Sequence, residues 1–136
     1  MIHSLQKVVL WMQQLQFESS WDKQLAPQDR QNIEKIFQET KSLNSTSVIF
    51  SPIREAINHK DALLVSVLVH NFTKNQLLFN QTRLQYRLKG KVVAEQAFTF
   101  PDLVIPPHVS MPWTFIFPKD NYQTHTSYKD GLLELS

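Results

Sequence analysis

The sequence contains no cysteine, which excludes disulfides, a thiolate nucleophile and thiolate-bound zinc. That composition fits a reducing compartment and equally fits an extracellular Gram-positive protein. Glycine is nearly as scarce, with two residues in 136, so a glycine-rich phosphate loop is not expected. Charge of one sign is missing as well. The 14 basic and 12 acidic residues leave a net charge of +2 and are scattered along the chain, whereas nucleic-acid binding calls for a basic stripe with interleaved aromatics. No segment approaches the roughly twenty apolar residues of a membrane span. The opening residues carry one lysine, Lys7, and a short apolar stretch that Gln13 and Gln14 interrupt, which is not the pattern of a secretory signal. The expectation is a soluble chain, cytoplasmic or membrane-associated on the cytoplasmic side.

What is present is enough apolar material for one core. Hydrophobic residues make up 42% of the chain and charged residues 19%, the balance of a single folded domain. Ile2, Leu5, Val8, Val9, Met12 and Leu15 recur at spacings of three and four, which predicts an amphipathic N-terminal segment over 1–14 with one apolar helical face. The alternation in residues 9–17 also allows a strand, which is expected near Leu15-Gln16-Phe17. Pro27 suits the first turn of a helix, where its missing N–H is not needed. A helix is expected over 28–41, with Ile33, Ile36 and Phe37 as its apolar stripe and Trp21 and Leu25 nearby.

From Val48 onward the period changes to two. Residues 63–70 read as a strand covered on both faces. Thr82, Leu84, Tyr86 and Leu88 alternate with Arg83, Gln85 and Arg87, a strand with one wet face. Lys89-Gly90 predicts a tight turn, with residues 92–100 as the hairpin partner. Further strands are expected over Met111 to Phe117 and at Leu132 to Leu135. Six or seven short strands without intervening helices predict a mainly β, antiparallel immunoglobulin-like β-sandwich with an N-terminal helical section, residues 15–136 forming one domain.

Chemical motifs are sparse. His3, His59, His70, His108 and His125 show no metal-ligand spacing. No G-x-S-x-G elbow occurs. Asp102 and Glu95 flank one hairpin and read as solvated charges. The N-x-T triplets at Asn44, Asn71 and Asn80 read as turn-forming asparagines. No catalytic residue, cofactor site or metal site is expected, and the chain is read as a binding domain and not an enzyme. Trp11, Trp21 and Trp113 are candidates for an aromatic sugar platform. Trp113, however, alternates with Phe115 and Phe117 while Ile116 takes the other face, so a core anchor is the stronger expectation.

Several stretches carry a family resemblance. They are Leu15-Gln16-Phe17 followed by Trp21-Asp22-Lys23-Gln24-Leu25-Ala26-Pro27-Gln28-Asp29, then Val67-Leu68-Val69-His70-Asn71-Phe72-Thr73, and above all the run from Ile105 to Phe117 with its Pro112-Trp113-Thr114-Phe115-Ile116-Phe117 ending. Together they resemble the SLAP domain of Firmicutes. The resemblance implies a non-catalytic interaction domain, an adaptor in surface-layer protein export or assembly with the accessory Sec system. It marks Trp21, Pro27, Asn71, Pro112, Trp113, Phe115 and Phe117 as motif residues and core candidates. The implied partner is a protein, either a surface-layer precursor or an accessory Sec component, and self-association through the N-terminal segment or an edge strand is a further expectation. The alternatives are a carbohydrate-binding module of the cell envelope and an intracellular interaction protein unrelated to surface layers.

Overall fold

A computed structural model describes residues 12–43 and 45–136. Most of the amphipathic segment expected over 1–14, with His3 and Trp11, and the asparagine of the first N-x-T triplet, Asn44, lie outside the described residues. In chain order the elements of the described residues are strand β1 (Gln14–Leu15), helix α1 (Ser19–Gln24), helix α2 (Pro27–Thr40), and strands β2 (Val48–Ile57), β3 (Leu63–Asn71), β4 (Leu77–Leu88), β5 (Lys91–Ile105), β6 (Val109–Phe117) and β7 (Leu132–Leu135), with a 3-10 turn at Lys119–Asn121. Among the described residues no helix is long and apolar enough to cross a membrane.

The protein is mainly β, built of two sheets. One has the order β1-β6-β3-β2 and the other β5-β4-β7. Strand β3 lies between β2 and β6 and is buried along nearly its whole length, which is why its sequence is apolar on both faces. Its inward residues Leu63, Val65, Val67 and Val69 meet Phe79, Leu84, Phe98 and Ile105 of the opposite sheet in the main core. Phe98 packs edge-on against Phe115 and Phe117, with ring centroids 5.2 and 5.4 Å apart. This two-layer arrangement fits an immunoglobulin-like sandwich.

Two departures from a purely antiparallel sandwich stand out. Strand β1 pairs with β6 in parallel, Gln14 opposite Val109 and Leu15 opposite Ser110. A parallel pair needs a long connection, and here nearly the whole domain lies between the two strands. The second is α1, a helix of six residues in which the Glu18 carboxylate accepts the Ser20 N–H and the Leu25 N–H closes back on the Trp21 carbonyl.

Helix α2 starts at Pro27 and ends at Thr40, one residue earlier at each end than the expected 28–41. It lies on the outer face of the β2-β3-β6 sheet, where Ile33 and Phe37 close over Leu68. Leu15, Phe17, Trp21, Leu25, Ile36 and Ile53 ring this second, smaller apolar cluster. The Lys89-Gly90 turn is of the kind the hairpin demands. Both residues have positive φ, 50° and 81°, matching the right-handed twist of β4 and β5.

Candidate functional site

Strand β6 has a full partner, β3, on one side only. On the other side Gln14 N–H donates to the His108 carbonyl at 2.9 Å and Gln16 N–H to the Ser110 carbonyl at 3.0 Å. The regular pairing of β6 with β3 then places Pro112 at the next position whose backbone faces away from β3. Its missing N–H is therefore lost from the open edge and not from the ladder, the one setting a strand tolerates. Pro112 itself is fully buried.

The rings after Pro112 grade from margin to interior. Phe115 and Phe117 are fully buried, and Trp113 packs against the same cluster but is only half-buried. The expectation that Trp113 sits inside the shared core is corrected in that respect. It occupies the margin, where the two sheets part beside β5. Its ring meets Phe100 edge-on at 5.4 Å and 63° and stacks on Trp21 of α1 at 6.5 Å and 26°. Trp21 is also half-buried. Pro27 is exposed and does not belong to the core. Its place follows from helix initiation, which requires no burial.

Trp113 and Phe100, with Leu103 of β5 and with Glu18 and Ser20 at the start of α1, line a cleft of about 300 Å³. Its two ionisable lining residues, Glu18 and Asp102, are both acidic. The Ser20 side chain and then its N–H, donating to Glu18, hold that carboxyl below its ordinary range. Phe100 and Glu18 were invisible as site residues in the sequence; the signals at this margin were Trp21 and Trp113. A wider cleft of about 960 Å³, with Lys41, Lys74, Leu43 and Phe72 in its walls, borders the described chain at Met12 and Ser45.

Asn71, at the end of β3, is fully buried and ties two loops together. Its amide nitrogen donates to the carbonyls of Asn75 (2.8 Å), Ile105 (3.0 Å) and Pro106 (3.2 Å), and its oxygen accepts from the Thr73 N–H (3.0 Å) and hydroxyl (2.7 Å). The Asn71-Phe72-Thr73 triplet is thus a buried Asx turn. The Asn80 triplet lies in an exposed irregularity of β4, where Gln81 adopts a positive φ of 48°.

His70 joins three strands. Its Nδ1 lies 2.6 Å from the Ser110 hydroxyl and its Nε2 3.1 Å from that of Ser51, and the ring stacks on Phe72. The pairing of a hydroxyl with an imidazole invites a catalytic reading, but His70 and Ser110 have no exposed surface. Burial pushes the imidazole down to about 4. His59 and His125 are exposed and His108 half-buried. Glu95 pairs with Arg83 at 2.6 Å. Among the described residues no three His, Asp or Glu side chains converge in a way that holds a metal ion.

The family model described as the SLAP domain matches residues 15–132. No curated protein matches the chain, and no solved structure does.

Proposed function

Because the chain belongs to the SLAP domain family, we propose that it is a non-catalytic protein-interaction domain, an adaptor in surface-layer protein export or assembly with the accessory Sec system, working in the cytoplasm or on the cytoplasmic side of the membrane. The observation that carries this reading is the margin of half-buried rings, Trp21, Phe100 and Trp113, beside a cleft on the open edge of β6. Aromatic side chains at the rim of a rigid sheet are the groups that protein interfaces favour. The buried polar groups, by contrast, are spent on the fold. His70 and Asn71 are fully engaged, and among the described residues no buried side-chain polar atom lacks a partner.

A carbohydrate-binding module is the second reading, and the exposed share of these rings favours it. A sugar platform needs ring faces open to solvent. One face of Trp113 lies against Trp21, which leaves the protein-interaction reading the better supported. The test is affinity capture from the native cell with the intact chain as bait, followed by mass spectrometry. Enrichment of surface-layer precursors or translocase components over a bait-free control supports the proposal. Recovery of neither, with the bait folded, overturns it.

A further inference from the structure

We propose that the cleft over Trp113 and Phe100 takes a single cationic side chain, arginine in preference to lysine, from a protein partner. The inference rests on the interaction-domain reading above and names the chemistry its ligand must have.

The side of the sandwich between β5 and β6 is closed at one end and open at the other. Toward the end of β6, Gln96 of β5 donates to the Ile116 carbonyl at 3.4 Å and Asn121 donates to Gln96 at 2.8 Å, while Tyr122 bridges to Ala94. At the Trp113 end the cleft takes the place of such contacts. Its floor is aromatic and apolar, and its rim holds the Asp102 and Glu18 carboxylates with no basic side chain in the lining. Asp102 is exposed and, among the described residues, takes part in none of the ion pairs, which join Arg30 to Asp22, Arg83 to Glu95 and Arg87 to Glu134.

The same chain shows what such a constellation binds. Arg30 lies over the Phe17 ring, 4.4 Å from its centroid, while its guanidinium pairs with Asp22 at 2.5 Å. A ring face and a carboxylate together hold one guanidinium there. The cleft sets the same two kinds of group together, aromatic rings and a carboxylate, with Leu103 in the wall beside them. Arginine is favoured because its flat, weakly hydrated guanidinium stacks on a ring while its fork pairs with a carboxylate. Lysine meets the charge but not the shape.

The experiment titrates the intact, isotopically labelled chain with a blocked peptide Gly-Ser-Arg-Ser-Gly and with the same peptide carrying citrulline, a neutral isostere, in place of arginine. The indole N–H resonance of Trp113 and the backbone amide of Asp102 are followed by NMR. The arginine peptide is expected to shift both saturably, and the citrulline peptide to bind about threefold to thirtyfold more weakly. Salt at about 1 M, where the Debye length falls to about 3 Å, is expected to erase most of that difference. Asp102→Asn, at an exposed position, is expected to leave the melting temperature unchanged and to weaken the arginine peptide alone. Equal affinity for the two peptides, shifts confined to another surface, or no shift at Trp113 at the highest soluble peptide concentration overturns the inference. So does a neutral oligosaccharide that moves the Trp113 indole when the arginine peptide does not. If the peptide test fails while affinity capture still enriches surface-layer or translocase proteins, only this inference falls. If capture fails, the adaptor reading falls whatever the peptide does.

Discussion

Trp21 and Trp113 stack with their ring centroids 6.5 Å apart and their planes 26° from parallel, and this contact joins the two apolar clusters of the described residues. Trp21 belongs to the rim of the cluster beneath α2, and Trp113 to the rim of the core between the sheets. A double-mutant cycle with Trp21→Ala and Trp113→Ala should therefore give a coupling of about 0.5–1.5 kcal/mol in urea denaturation. A coupling indistinguishable from zero would mean the two clusters are energetically independent.

The burial gradient along β6 predicts an order of severity. Phe115→Ala, at a fully buried site, should cost about 3–5 kcal/mol. Trp113→Ala should cost about 2–3 kcal/mol, because part of its ring already meets water. Denaturant midpoints of the two variants beside the parent check the order, and a larger loss at Trp113 would place the centre of the core at the margin instead.

Asn71 supplies the only side-chain amide in a junction of five hydrogen bonds among the described residues. Asn71→Ala should cost about 2–4 kcal/mol, since it removes the side-chain donor to the Ile105 and Pro106 carbonyls and the acceptor of the Thr73 N–H. Amide hydrogen exchange should show the loss concentrated in residues 72–76 and 105–108. Uniform weakening across both sheets would argue against a local junction.

His70 makes stability depend on pH. Its folded value, pushed down to about 4 by burial, lies below the ordinary value near 6.5, so the unfolded chain binds the proton more readily between those limits. Stability from this group is complete above about pH 6.5, falls as the pH drops through that window, and levels off below about pH 4, with a slope of at most about 1.4 kcal/mol per pH unit. Denaturation measured from pH 7 to about pH 5, above most carboxylate titrations, should show the slope in the parent and lose it in His70→Asn. An equal slope in both proteins would assign it to other groups.

Gly131 lies against the ring of Tyr86, whose hydroxyl donates to the Tyr128 carbonyl at 2.6 Å. A Cβ at residue 131 would come within 2.3 Å of that ring, so Gly131→Ala must shift either the end of the Tyr86 ring or the backbone beside it. The expected loss is about 1–3 kcal/mol. Tyr86→Phe, which keeps the ring and removes only the hydroxyl, should cost less, and the reverse order would locate the constraint in the hydrogen bond.

Much of the fold was legible because it follows from local rules. Period-two alternation marks β3 and β4 since neighbouring side chains must take opposite faces. The Lys89-Gly90 turn follows from the two-residue loop, and the start of α2 at Pro27 from a fixed φ and a dispensable N–H. The run Pro112-Trp113-Thr114-Phe115-Ile116-Phe117, together with the motif around Trp21, was enough to indicate the SLAP domain family.

Tertiary structure alone decided depth and company. Alternation tells which face Trp113 takes, but its half-burial depends on where β5 parts from β6, a matter of strands distant in sequence. Helix α1 is too short for any periodicity to register and exists because Trp21 finds a partner, while the strand expected near Leu15 from alternation owes its parallel pairing to the carbonyls of His108 and Ser110. The two-sided apolar pattern of residues 63–70 reaches His70 but does not give its partners. His70 is sealed because β2 and β6 each bring a serine hydroxyl to one of its nitrogens. The cleft has the same origin, since Glu18 and Asp102 lie far apart in the chain and share a rim only once the start of α1 has crossed the open edge of β6.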